Sequence, residues 1–329
     1  MLIDILLEKF DMLEFLSAKG FDPKYIGGRT QYFLNTCPFC DKIWHCGVNL
    51  DTKTFGCFKC HSGGNFVKLL QAILKKNFIE VLEYLKTGAG EVIDIRYIDK
   101  LIKEIAPYQG IEEQIKPIAL PEGYTSLYNK RIPYLDSGRK FPIPQDQVNY
   151  YKMGVCSEGH YKNRLVVCDV NEKQEPIYWV ARDISGKVSK KDKLWNPNSE
   201  ELSVGSSDIL FNYYLARNYP TVVITEGVFD SIYVGNNAVA TYGTGLKKNH
   251  MYWLLQGGFK EAVLLYDSDV KDAELEKSGV LLSQFFNTRI CKLPSNDPDD
   301  WPKDKLNSLI QSCERFEPTK LLKVKLELC

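Results

Sequence analysis

The sequence predicts a multidomain chain, an α+β region followed by an α/β region, and three observations support this. Two Cys-x-x-Cys pairs, Cys37/Cys40 and Cys57/Cys60, lie near the amino terminus. A middle stretch alternates short apolar segments with turns. From residue 220, strands and helices alternate, and acidic residues follow directly on the strands. A length of 329 residues suits about two domains, and 44% hydrophobic with 12% aromatic content is enough to fill real cores. Charged residues make up 26%, which excludes a disordered chain or a membrane bundle. No apolar run reaches the ~20 residues that cross a bilayer. The opening segment sets acids among its apolar residues and has no basic start. It is therefore not a secretory signal, and a cytoplasmic location is expected.

Lys plus Arg and Asp plus Glu each number 42. A neutral total does not announce a nucleic-acid partner, but it permits a local basic patch. Residues 130–193 carry 13 basic against 8 acidic residues, and the first 110 carry 14 against 13. Any phosphate track is expected in the middle of the chain.

The cysteine pairs are separated by 16 residues, and the other six cysteines show no comparable spacing. In a reducing compartment this pattern predicts one structural tetrahedral zinc held by Cys37, Cys40, Cys57 and Cys60. Strands over 44–50 and 53–58, turning at Asp51-Thr52, would bring the pairs together. An iron–sulfur cluster also accepts four thiolates, and His45 and His61 flank the site. The double Cys-x-x-Cys is the simplest ligand set. An amphipathic helix is expected over 65–86, after a helical start over 2–19 and the ribbon.

Residues 91–120 read as a linker with one short helix. Helices are expected over 129–135 and 207–217, around strands 164–170 and 176–182. Thr221–Thr225 is a continuous β-branched run and so a buried strand. Strands follow over 237–241, 261–266 and 288–292, separated by helices over 229–235, 248–255 and 270–286. These units predict a small parallel sheet with flanking helices.

Glu226 directly follows one strand, and Asp267 and Asp269 follow another. The carboxyl ends of parallel strands form the ligand crevice of open α/β sheets. Three crowded carboxylates repel unless neutralised, and a hard divalent cation, Mg²⁺ or Mn²⁺, is the natural partner. Solvated loop acids are the plainer alternative, and the strand-end combination argues against it. Asp230 lies one helical turn beyond Glu226 and either joins the site or caps local backbone. Gly243-Thr244-Gly245 is either a phosphate approach or a plain turn. Asp297, Asp299 and Asp300 are either site acids or a solvated loop. No phosphate-binding Gly-x-x-x-x-Gly-Lys-Ser/Thr loop occurs, so a helicase or nucleotide-driven motor is not expected.

Cys37-Pro38-Phe39-Cys40 through Phe55-Gly56-Cys57-Phe58-Lys59-Cys60 resembles the zinc-binding domain of DnaG-type DNA primases. Val222–Asp230 and Tyr266-Asp267-Ser268-Asp269 resemble the two acidic motifs of a Toprim domain. Asn296–Asp300 resembles the late Asp-Pro-Asp segment of the primase core. Asn163–Val167, Val180-Ala181-Arg182 and Lys193-Leu194-Trp195-Asn196 resemble its basic subdomain. The likeness spans about residues 30–300. It departs at Cys40, where the bacterial form usually has histidine, and after Asp269, where a common glycine is missing.

The resemblance implies a zinc ribbon followed by a primase catalytic core with a Toprim-like parallel α/β subdomain. The units would be 1–110, 111–215 and 216–329. It implies synthesis of RNA primers from ribonucleoside triphosphates on single-stranded DNA. Glu226, Asp267 and Asp269 would hold Mg²⁺ or Mn²⁺, with Asp297, Asp299 and Asp230 nearby. Arg164, Arg182, Lys193 and Asn196 would bind template, primer or triphosphate. Phe39, Phe55 and Phe58 are either base-stacking platforms or knuckle packing, with at least two expected to pack. The architecture suggests a compact phage or mobile-element primase with a separately encoded replicative helicase as a possible partner. Alternatives are a Toprim-family nuclease or topoisomerase, or a non-catalytic DNA-binding replication factor.

Overall fold

The computed structural model describes residues 6–27, 31–88, 103, 106–108, 110–136, 142–243, 245–283 and 285–316. Within them, strands β1 (Lys24–Gly27), β2 (Gln31–Thr36), β3 (Ile43–Asn49), β4 (Thr54–Cys57) and β5 (Gly63–Asn65) pair antiparallel in sequence order. Asn49 Oδ1 accepts from Thr52 N at 2.9 Å and closes the turn between β3 and β4. Cys46 then faces Cys57, and Val48 faces Phe55. Leu34, Val48 and Phe55 are buried in one core with Phe66, Val67, Leu69 and Leu70.

The helix expected over 65–86 is two helices, Phe66–Leu74 and Phe78–Gly88. Asn65 caps the first through Lys68 N, and Lys75 ends it at φ 52. Asn77 and Glu80 then exchange side-chain and backbone hydrogen bonds of 2.9 and 3.0 Å, a capping box that starts the second. Leu69, Leu70, Ile79, Leu82 and Leu85 all enter the same core, so the apolar spacing continues across the break. The helix expected over 2–19 is broken at 9–11: residues 6–8 are helical, and a separate helix runs Met12–Ala18, because Asp11 caps it through Glu14 N. Residues 2–5 of that span lie outside the described residues, as does half of the linker. A short helix does form there, at Ile111–Gln114.

The second sheet has the order β10-β9-β8-β7-β6, from β6 (Tyr124–Ser126), β7 (Gly154–Cys156), β8 (Arg164–Val170), β9 (Pro176–Asp183) and β10 (Leu194–Trp195). Every residue of β8 is buried. Leu165 and Val167 enter the main core, whereas Val166, Cys168 and Val170 enter a second core with Trp179. Two expected helices are corrected here. The one over 129–135 reduces to Pro133–Asp136, and the one over 207–217 to a 3₁₀ turn, Ser206–Asp208, and Tyr213–Ala216. Between those two pieces, Phe211 N donates to Ala240 O at 3.0 Å and Asn212 takes φ 63, which no helix allows. The same stretch joins the second sheet to the third. Asp169 accepts from Asn212 N and from Tyr242 Oη, each at 3.0 Å, and burial pushes its carboxyl up to about 7.

The third sheet is parallel, in the order β12-β11-β13-β14: β11 (Thr221–Thr225), β12 (Ala238–Ala240), β13 (Glu261–Leu264) and β14 (Asn287–Ile290). Side chains alternate across it, as strand geometry requires. Val222 and Ile224 enter the main core with Leu254 and Leu255 of helix Lys248–Gln256 and Leu275 and Leu282 of helix Asp272–Ser283. Val223 and Val263 enter the opposite core with Val234 of helix Val228–Val234 and Leu306 of helix Lys303–Ser312. Both faces are covered, so β11 reads as an unbroken apolar run.

The ribbon sits against the amino-terminal ends of these strands. Asn65 N donates to Gly258 O at 3.1 Å, Asn65 Nδ2 to Phe259 O at 3.3 Å and Lys68 Nζ to Arg217 O at 2.7 Å. Gly258 has φ +68, and a Cβ there would meet the Lys68 side chain at 2.7 Å, so this close approach requires glycine.

Candidate metal centres

The four ribbon cysteines come from two knuckles of the same shape. Asp41 N donates to Cys37 O and His61 N to Cys57 O, each at 3.0 Å. Phe39 N and Lys59 N donate to the Cys37 and Cys57 sulfurs, each at 3.4 Å. Asp41 and His61 occupy equivalent left-handed positions, φ 57 and 59. His61 is therefore the hinge of its knuckle, as Asp41 is of the other. The four Sγ atoms lie within 4.8 Å of one another, with Cys37–Cys60 at 4.0 Å and Cys40–Cys57 at 3.8 Å. A tetrahedral zinc with ~2.3 Å bonds sets its sulfurs ~3.8 Å apart, so the donor set fits one structural zinc. Phe39 and Phe55 stack at 5.0 Å and pack the ribbon, whereas Phe58 is 70% exposed. Phe58 opens on a groove of ≈ 530 Å³ that Tyr32, Phe33 and His61 also line.

The second centre lies at the opposite, carboxyl-terminal end of the parallel sheet. Ile224 pairs with Leu264 across β11 and β13, which brings Glu226 beside Asp267. Gly243 N donates to Glu226 O at 2.8 Å, so the loop after β12 folds over the site. Burial, then Asp267, Glu274, Asp269 and Asp297, push the Glu226 carboxyl up to about 7. Burial, then Asp297 and Asp269, push Asp267 up to about 6. Asp267 Oδ1 is buried without a hydrogen-bond partner among the described residues. A buried carboxylate oxygen with no donor, facing other carboxylates, suits a hard cation.

Glu274, in the first turn of helix Asp272–Ser283, is an acid of this cluster that sequence reasoning missed. It lies five residues after Asp269 in sequence and enters the cluster only through the packing of that helix. A Cβ at Gly245 would lie 2.8 Å from Glu274 Oε1, so that loop lines the cluster, while Thr244 is outside the described residues. Asp230 is buried, with its carboxylate folded back against Gly227. Asp297 and Asp299 separate. Asp297 acts on the cluster, whereas Asp299 lines a different cavity of ≈ 310 Å³ with Phe229, Ile232 and Lys303.

The basic residues also separate. Arg164 is 2% exposed, and its guanidinium donates to Ala181 O at 3.1 Å and Asp192 O at 2.8 Å and lies 3.4 Å from the Trp195 ring centroid. Its assignment to a phosphate track is therefore corrected, because Arg164 holds the sheet together from inside. Arg182 is half-buried and lies over the ring of Phe229 at 5.4 Å. Lys193 and Asn196 are exposed, and Asn196 O accepts from Tyr161 Oη at 3.0 Å.

A family model described as a CHC2 zinc finger, of the DnaG zinc-ribbon type, matches residues 2–100. The crystal structure of the Aquifex aeolicus primase, zinc-binding and RNA polymerase domains, aligns with 99% of this chain and 89% of that one, at TM-score 0.50 and 22% identity. The chain has a DnaG-type fold. Curated relatives named DNA primase include one from Helicobacter pylori and one from Aquifex aeolicus. The one from Helicobacter pylori is 26% identical over 310 residues, 81% of this chain and 52% of its own length. The one from Aquifex aeolicus is 25% identical, over 96% of this chain and 70% of its own. The chain thus spans about half the length of the first curated relatives it matches. Against the CHC2 pattern, this DnaG-type ribbon is cysteine at all four positions. Among the described residues, no helix is long and apolar enough to cross a membrane.

The raised carboxyls give a pH prediction. Groups whose folded-state pKa is raised stabilise the fold below their unfolded pKa, and this is lost as pH rises through the folded values. Metal-free protein should therefore melt at lower temperature as pH rises through about 6 to 7. Added Mg²⁺ or Mn²⁺ should raise the melting temperature above this window and do little below about pH 5. Scanning calorimetry across pH checks both, and a metal effect independent of pH would contradict the cluster.

Proposed function

We propose that the chain is a DNA primase that makes short RNA primers from ribonucleoside triphosphates on a single-stranded DNA template. The observation that carries this reading is the orphaned Asp267 Oδ1 among Glu226, Asp269 and Asp297, in a chain that also folds a zinc ribbon. Glu226, Asp267 and Asp269 would hold Mg²⁺ or Mn²⁺, with Asp297 and Glu274 adding negative charge. Such ions polarise phosphoryl oxygens and orient an attacking 3′-hydroxyl. Arg182 would pair with triphosphate or primer phosphate, as would Lys193, which lies exposed one strand away. The exposed Phe58 and its groove suit base stacking at the ribbon. The proposed units are 1–110, 111–215 and 216–329, acting in the cytoplasm beside a separately encoded helicase.

Two expected results separate the arginines. Arg182→Ala should weaken single-strand binding and reduce the salt slope by about 0.7, the loss of one phosphate contact. Arg164→Ala should leave the slope unchanged and destabilise the fold by on the order of 3 kcal/mol, since the buried Ala181 carbonyl and the half-buried Asp192 carbonyl lose their donor. The reverse pattern would restore Arg164 to the phosphate track. The function itself is tested by incorporation of labelled ribonucleotides on mixed-sequence single-stranded DNA with Mg²⁺ or Mn²⁺. Short ribonucleotide products are expected, and template degradation without synthesis would favour a nuclease.

A further inference from the structure

We propose that Cys291 and Cys313 form a reversible redox pair, which peroxide converts to a disulfide that staples the segment after helix Lys303–Ser312 to β14. The backbone makes the pairing. β14 is the edge of the parallel sheet, and Arg289 bridges Arg315 antiparallel across its free side. Phe316 N donates to Thr288 O at 2.8 Å. Continuing that register by two residues sets Cys291 opposite Cys313, and Cys313 is already extended at φ −63, ψ 137. Directly opposed antiparallel residues have Cα atoms ~4.5–5.5 Å apart, inside the ~4.4–6.8 Å range of disulfides. Both thiols are free and both pack in the same core, and they interact with each other.

The two sulfurs differ in the way such chemistry needs. Cys291 is 1% exposed, whereas Cys313 is partly open. Arg289 Nη1 lies 3.9 Å from the Cys313 sulfur. Cys291 first, and Arg289 also, lower the Cys313 thiol despite burial, the nearby Glu261 and its S–H donating to Ile310 O at 3.1 Å, so Cys313 is the readier nucleophile of the two. The Cys313 thiolate attacks one oxygen of hydrogen peroxide. The O–O bond breaks, hydroxide leaves and takes up a proton as water, and Cys313 becomes a sulfenic acid. The Cys291 sulfur then attacks the Cys313 sulfur. The S–S bond forms, the S–O bond breaks, and the departing hydroxide takes the Cys291 proton as a second water. Two thiols are oxidised and one peroxide is reduced, and a dithiol reductant reverses the step. The closed loop runs from Cys291 to Cys313 and contains Asp297 and Asp299, so the staple tethers the segment that brings Asp297 to the acidic cluster.

The test uses the zinc-loaded full chain treated with hydrogen peroxide, then alkylated and mapped by mass spectrometry. A 291–313 cystine, a mass loss of about 2 Da and recovery with dithiothreitol are expected. The melting temperature should rise by several degrees on oxidation, because the loop constrains the unfolded chain. Cys291→Ala should trap Cys313 as a dimedone-reactive sulfenic acid, and Cys313→Ser should abolish both products while leaving basal melting near the wild type. Oxidation of Cys313 in the wild type to sulfinic acid without the 291–313 bond, or unchanged thiols at both positions, would overturn the proposal.

Discussion

On the proposed function, Glu226→Gln should reduce primer synthesis by at least ~10²-fold, since a metal-stabilised transition state would lose a charged ligand. The same substitution should make the metal-free protein more stable near neutral pH. Glu226 sits among Asp267, Asp269, Glu274 and Asp297, and its carboxyl is raised to about 7 by burial and their charges. Removing one of five crowded carboxyls relieves the repulsion at pH values where all of them are charged. A loss of function joined to a gain of thermal stability marks a ligand site; a damaged fold loses both. Parallel melting curves and synthesis assays decide it. Synthesis close to the wild-type rate would remove Glu226 from the metal site, and a lower melting temperature would remove the repulsion argument.

Cys37→Ser should take the zinc content from one per chain to none and unfold the ribbon. Structural zinc supplies roughly 10 kcal/mol or more to small sites of this kind, and β1 to β5 have little other core than Leu34, Val48 and Phe55. Amide exchange should accelerate over residues 31–65 and stay slow in β11 and β13, which keep a core of Val223, Val263 and Leu306. Zinc retained at wild-type stoichiometry would refute the ligand set. Uniform exchange over the whole chain would show that ribbon and core unfold as one unit.

What the sequence disclosed depended on how local the cause was. The knuckles were legible because each Cys-x-x-Cys closes its own turn, with backbone N–H groups on the sulfurs. Strand β11 was legible because a strand covered on both faces shows an unbroken β-branched run. The acids at its end were legible because parallel sheets gather strand ends. Glu274 was not, because it reaches the cluster from a separate helix through tertiary packing. Arg164 was misread for a related reason. A strand buried on both sides gives no alternation to say whether a charge points out or in. Asp297 and Asp299 are two residues apart, yet the 3₁₀ turn at Pro298–Asp300 sends them to different cavities. The break at Lys75 was hidden because the apolar pattern continues through it.

The joint between ribbon and core has a lopsided vocabulary. Asn65 and Lys68 reach across with side chains, but at Gly258, Phe259 and Arg217 the receiving groups are main-chain carbonyls. A carbonyl survives nearly every substitution. Most of the core side of this joint can therefore drift in side-chain identity, with two exceptions: Gly258, packed closely on Lys68, and Gln256, whose Oε1 accepts from Gln71 Nε2 at 2.7 Å. A mutational scan should register the docking mostly from the ribbon side, and a covariation search across it should find its signal at Gln71 and Gln256.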